Sequence, residues 1–178
     1  MQHQLFDFQE SNSDHLWATE DMIILSLQPY AFNLIFSGEK KYEFRTRFRK
    51  RHTIAFVYVT VPEKCIKGVM VLGQPTIGTP QEIADIAERN RPGNGKSVFD
   101  YLEPRGKGYA ISILHTQLLP QPLDLDKLRT EFDFIAPQSY INLLTKPGLM
   151  EKLCSQINIS ISNNGQLDIS RFFEEGGD

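Results

Sequence analysis

The sequence predicts an α+β domain, arranged as a small mixed β-barrel with two or three short helices. Four to six β-branched and aromatic runs of strand length recur between turn-rich stretches. Two or three short segments with helical start signals lie among them. Helix-length segments are too few for a doubly wound parallel sheet. At 178 residues, 40% hydrophobic and 23% charged, the chain suits one packed core with a wetted surface and excludes a disordered polymer.

In chain order, residues 1–21 mix polar residues with Leu5, Phe6, Phe8 and Trp17 without a sustained period and read as an N-terminal extension that docks its aromatics. Residues 22–27 (MIILSL) form a buried strand. Pro29 suits a first helical turn, and residues 30–37 form a short helix with Tyr30, Ala31, Leu34 and Ile35 toward the core and Gly38 as its C′ stop. Residues 42–49 alternate and form a strand. Residues 53–61 and 65–72 are two more strands. Thr79-Pro80 with Glu82 is a capping box that opens a helix over 81–89. Residues 90–96 (NRPGNGK) are a loop, 98–102 a helical turn, and 103–107 a connection. Residues 108–119 form a long strand stopped by Pro120-Gln121-Pro122. Helical turns follow at 124–130 and 139–145, with a break at Pro147-Gly148 and a hairpin over 157–169 around Asn163-Asn164-Gly165. The expected organisation is an extension (1–21), the domain (22–146), and a C-terminal extension with an acidic tail (147–178).

The charge is uneven. Residues 39–51 hold seven basic and two acidic side chains, a balance of +5, which leaves −8 on the rest of a chain whose total is −3. A basic stripe on an acidic body resembles a localised anion site, although a solvated charged face has the same signature. In an extended strand over 42–49, Tyr42, Phe44, Thr46 and Phe48 share one face. Glu43, Arg45, Arg47 and Arg49 share the other, spaced about 6–7 Å apart.

No apolar run reaches the ~18 residues that span a bilayer, and Met1–Gln4 lacks a secretory n-region. Cys65 and Cys154 lack CxxC spacing, and His3, His15, His52 and His115 show no ligand spacing. The expectation is a cytoplasmic chain with free thiols, no metal, no cofactor and no membrane partner. Asn94-Gly95-Lys96-Ser97 lacks the spacing of a phosphate loop and reads as an ordinary flexible loop.

Ile24-Leu25-Ser26-Leu27-Gln28-Pro29-Tyr30-Ala31, followed by Gly38, Lys40, Glu43 and Arg45 in the pattern GxKxxExR, resembles the ASCH family of PUA-like domains over about residues 22–146. Tyr58-Val59-Thr60, Gly68, Gly108-Tyr109-Ala110-Ile111 and Pro137-Gln138-Ser139-Tyr140 match in kind. The resemblance implies a β-barrel with helices over its openings and a groove beside the signature that receives RNA or a nucleotide. Some similar domains are enzymes: one group hydrolyses N-acylated cytosine nucleosides with a Lys, a Thr and a Glu, and another cuts single-stranded RNA. Here Glu43 stands where the amide-hydrolysing group has its Thr.

The leading expectation is a binder of single-stranded RNA or a nucleotide. Glu43 would hold Arg45, leaving other guanidinium donors for a phosphate, and Lys40 would add a point charge. Arg47, Arg49, Lys50 and Arg51 would extend the track. Ser26 would offer its hydroxyl or cap the next helix. Tyr30, Tyr58, Tyr109 and Tyr140 are candidate stacking platforms. The alternative is a metal-independent hydrolase, a ribonuclease or modified-nucleoside amidohydrolase, with Lys40 as base, Glu43 as proton shuttle and Arg45 stabilising developing charge. A structural ion pair at a turn is the plainest account of the same three residues.

Overall fold

In the computed structural model residues 15–172 are described. The elements are β1 (Met22–Leu27), α1 (Pro29–Phe36), β2 (Tyr42–Arg45), β3 (Thr53–Val59), β4 (Cys65–Leu72), β5 (Thr76–Gly78), α2 (Pro80–Asn90), α3 (Gly95–Leu102), β6 (Gly108–Asp124), α4 (Leu125–Phe132), β7 (Tyr140–Asn142), α5 (Pro147–Gln156), β8 (Ser160–Ile161) and β9 (Leu167–Asp168). The chain divides into two compact units, one from Tyr30–Thr53 and Val71–Thr116, the other from Ile54–Met70 and the two ends of the chain. The fold class is α+β, as expected, with five α-helices among the described residues where two or three were anticipated.

In the unit containing both chain ends, β1 runs parallel to β3, from Met22 opposite Ile54 to Leu27 opposite Val59. Every residue of both strands is buried. That burial on both faces is why MIILSL and TIAFVYV are continuous rather than alternating. On its other edge β1 pairs antiparallel with β7, Leu25 opposite Tyr140. Residues 139–145, expected to be helical, therefore supply a strand and only a short 3-10 turn, Leu143–Thr145, because β1 offers an open ladder. The hairpin exists as β8 and β9, with Gly165 at φ +81° in its turn. Ala18 bridges to Gln166 and Trp17 is buried, so the one described aromatic of the N-terminal extension does dock. Leu5, Phe6 and Phe8, and the acidic tail at 174–178, lie outside the described residues.

Three boundaries differ from expectation in instructive ways. Strand β6 continues through Pro120-Gln121-Pro122 to Asp124. Both prolines are exposed, and the N–H between them, on Gln121, donates to the Gln156 side chain at 3.0 Å. Pro147 begins α5 rather than breaking a helix, since its missing N–H costs nothing in a first turn. Asp124 caps α4 by accepting from the Lys127 N–H at 2.9 Å.

In the other unit, β2 and β5 both pair antiparallel with β6. Phe44 of β2 packs with Ile83, Ala87, Val98, Leu102 and Ala110 in one core. The capping box of α2 is present: the Glu82 N–H donates to Thr79 Oγ1 at 3.2 Å, and the Thr79 N–H to Glu82 Oε2 at 2.7 Å. Helix α3 starts at Gly95, inside the expected loop. The Glu88 carboxylate explains it by accepting from the N–H groups of Gly93 (2.9 Å) and Gly95 (2.8 Å), which binds α2 to the start of α3. These backbone bonds hold the Glu88 carboxyl below its ordinary range. A Cβ on Gly95 would meet the Ala84 carbonyl oxygen at 3.1 Å and Glu88 Oε2 at 2.9 Å, so the approach needs glycine.

Candidate functional site

The site begins with a turn. Helix α1 ends at Phe36, and Gly38 takes φ +83°, the left-handed stop expected of it. The Gly38 N–H donates to the Ile35 carbonyl at 3.0 Å and the Lys40 N–H to the Leu34 carbonyl at 2.9 Å. Lys40 is thereby delivered at a set angle to the strand that starts two residues later. In β2, Phe44 points into the core, and the two-residue period sends Glu43 and Arg45 to the other face.

On that face one carboxylate holds two cations. Lys40 Nζ donates to Glu43 Oε2 at 2.8 Å, and Arg45 Nε donates to Glu43 Oε1 at 2.9 Å. The Lys40, Glu43 and Arg45 side chains are 18%, 8% and 15% exposed. The three expected catalytic or binding residues therefore meet, and the shielded carboxylate has a cation on each oxygen. The cluster keeps a net charge of +1.

Lys40 also lines a cavity of about 240 Å³ in the same unit. Its polar lining includes Tyr30, Arg91, Asn94, Ser97 and Tyr101, and its apolar lining includes Leu34, Phe44 and Val98. Tyr30 is 68% exposed, against the expectation that it faces the core; of the expected inward set α1 buries Ile35, and it buries Phe32 besides. Arg91, Asn94, Ser97 and Tyr101 were not among the expected site residues. The sequence signal for them was Glu88 followed by Gly93 and Gly95, glycines whose N–H groups are open to a carboxylate cap.

The remaining candidates scatter. Strand β2 stops at Arg45 and the chain bends at Thr46 and Arg47, so the expected line of three guanidinium groups along one strand does not form. Phe48 is buried, as Phe44 is. Arg47, Lys50 and Arg51 are exposed and Arg49 is half-buried. In the other unit, Ser26 donates its hydroxyl to the Pro137 carbonyl at 2.6 Å. Tyr58 is 3% exposed with its ring 5.6 Å from that of Phe134, and burial pushes its phenol above the ordinary value. A ring packed in this way has no face for a base, so Tyr58 is not a platform. Tyr109 is buried as well. Tyr140 is half-buried on β7 beside Leu25.

Cys65 and Cys154 are free thiols. Burial pushes the Cys154 thiol up to about 12, which leaves it inert. Among the described residues no group of three His, Cys, Asp or Glu side chains could hold a metal ion, and no helix is long and apolar enough to cross a membrane.

A scan against protein-family models matches none, and a search of curated proteins finds no match. Solved structures do match. The crystal structure of ASCH from Zymomonas mobilis aligns at TM-score 0.66 and 27% identity, covering 76% of this chain and 95% of its own. A serine-to-alanine variant of that protein aligns at TM-score 0.67 and 25% identity, covering 78% and 98%. A tyrosine-to-phenylalanine variant aligns at 0.65 and 26%, covering 76% and 97%. This chain has the ASCH-like fold that its GxKxxExR segment resembles.

Proposed function

We propose that this protein binds RNA or a nucleotide beside the Lys40–Glu43–Arg45 cluster, where Lys40 also borders the cavity, with Lys40 and Arg45 as the phosphate-attracting cations and Glu43 as their brace. The observation that carries this reading is the pair of hydrogen bonds from Lys40 and Arg45 to opposite oxygens of one buried carboxylate. Two cations against one anion still attract a phosphate. Because both side chains are already ordered, an incoming anion loses less of its binding energy to immobilising them. Arg45 donates its Nε to Glu43, and the planar guanidinium is the group whose geometry suits a phosphate. Arg47, Arg49, Lys50 and Arg51 extend positive charge along the chain that follows. If about three phosphates of a single strand are neutralised, log K falls with log salt at a slope near −2.

Titration of labelled single-stranded RNA and of mononucleotides at low and moderate salt tests the proposal. Binding at low salt with that slope is expected, weakened about tenfold in folded Lys40→Gln and Arg45→Gln proteins. No binding at low salt, or unchanged affinity in both variants, overturns it.

A second reading, metal-independent hydrolysis, is favoured by one distance: a donor and an acceptor, Lys40 Nζ and Glu43 Oε2, stand 2.8 Å apart, as a proton relay requires. Incubation with RNA and with N4-acetylcytidine in the presence of chelator decides it. Product that disappears in Lys40→Gln supports turnover, and no product from either substrate leaves binding alone.

A further inference from the structure

Helices α2 and α3 meet at a corner that is built rather than loose. The Arg91 N–H donates to the Ala87 carbonyl at 2.9 Å, the Asn94 N–H donates to the Arg91 carbonyl at 3.0 Å, and Glu88 holds Gly93 and Gly95. The corner places Arg91, Asn94, Ser97 and Tyr101 around the cavity that Tyr30 and Lys40 also line. We propose that this corner is the base-binding wall of the site: it takes one unpaired nucleobase against Tyr30 and Tyr101, while Arg91 joins Lys40 on the phosphate of the same nucleotide. The inference rests on the nucleotide-binding reading above and adds its ligand class, an unpaired, phosphate-bearing nucleotide.

Three observations converge on this class. Tyr30 and Tyr101 are the exposed large aromatic side chains among the described residues, at 68% and 51%, and both border the same cavity. Exposed aromatics beside cations are how proteins stack unpaired bases without needing a sequence. Unused donors stand at the cavity. Among the described residues Arg91 has no ion pair, and its side-chain hydrogen bond is from Nη2 to the Tyr30 hydroxyl at 3.5 Å, the outer limit of such a bond. Ser97 donates toward Asn94 Oδ1 at 3.2 Å and the Asn94 carbonyl at 3.0 Å, which orients the amide and leaves its Nδ2 hydrogens for a ligand. A partner with acceptors satisfies these donors, and a phosphate and the carbonyl or ring nitrogens of a base supply them. A volume near 240 Å³ admits one nucleotide's base and not a stacked pair of strands.

The experiment measures affinity for ribose 5-phosphate, mononucleotides, single-stranded RNA and duplex RNA of the same sequence, in wild type and in Tyr101→Ala, Tyr101→Phe, Arg91→Gln and Lys40→Gln proteins. Tyr101→Ala is expected to weaken mononucleotides and single strands about tenfold, to leave ribose 5-phosphate unchanged, and to be rescued by Tyr101→Phe. Arg91→Gln is expected to weaken every phosphate-bearing probe. Equal affinity for mononucleotide and single strand assigns the site to free nucleotides, and a gain with the strand assigns it to RNA; either supports the inference. Wild-type affinity in Tyr101→Ala alongside a defect in Lys40→Gln, or duplex bound as tightly as single strand, overturns the base wall while nucleotide binding stands. Failure of wild type to bind any probe removes both.

Discussion

Residues 40–45 and residues 47–51 belong to one basic run and differ in almost everything else. The first stretch carries Lys40 and Arg45, shielded from water and tied to Glu43. The second carries Arg47, Lys50 and Arg51 at the surface, beyond the end of β2. The same residue types thus serve as a shielded cluster in one place and as surface charge in the other. What separates them is the ladder: β2 pairs with β6 from Tyr42 opposite Ser112 to Arg45 opposite Tyr109 and goes no further. Lys40 and Arg45 are shielded where that ladder fixes the backbone and Glu43 lies within reach.

The comparison breaks most visibly at Glu43. Glu43→Gln removes the carboxylate but keeps its shape, leaving two shielded cations against each other; the expected loss is on the order of 3 kcal/mol, or about 6–12 °C in Tm. Thermal unfolding followed by circular dichroism measures it, and a Tm within a degree of wild type would show that the cluster is structurally idle. Neutralising the other stretch, with Arg47→Gln and Lys50→Gln together, is expected to leave Tm within the ~0.5 kcal/mol range of surface changes while the salt slope of RNA binding flattens by about 1.4. Parallel stability and salt-slope measurements in the two mutants would sharpen the contrast. A Tm loss in the double variant equal to that of Glu43→Gln would erase it.

The smallest expected effect lies at the helix corner. The Glu88 carboxyl is depressed in the folded chain by the N–H groups of Gly93 and Gly95, against an ordinary value of 4.5. A depressed folded value means that the unfolded chain binds the proton first, so the stabilisation is complete above pH 4.5 and is lost as pH falls through the folded value. Tm against pH in wild type and Glu88→Gln should differ near neutrality and converge in acid. Glu88 is at the surface, so the gap is expected to be small.

Much of this architecture is legible in residue order. The capping box at Thr79 and Glu82, the Gly38 stop and the largely apolar strands β1 and β3 each follow from local rules that operate within a few residues. So does the meeting of Lys40, Glu43 and Arg45, because a turn and a two-residue period bring them together without help from elsewhere. The errors share a different cause. Tyr58 and Tyr30 have the same side chain, yet one is packed against Phe134 and the other stands exposed at a cavity. Nothing local to either tyrosine distinguishes them.

Residue order therefore determined the α+β class, the signature segment and the ion cluster, all products of short-range geometry. Tertiary packing alone decided where β2 stops, that β6 runs on past its prolines, and that Arg91, Asn94, Ser97 and Tyr101 border the cavity lined by Lys40. The reason is physical: a cavity is enclosed by residues some 70 positions apart, from Tyr30 to Tyr101, and such closure depends on which faces a core has already consumed.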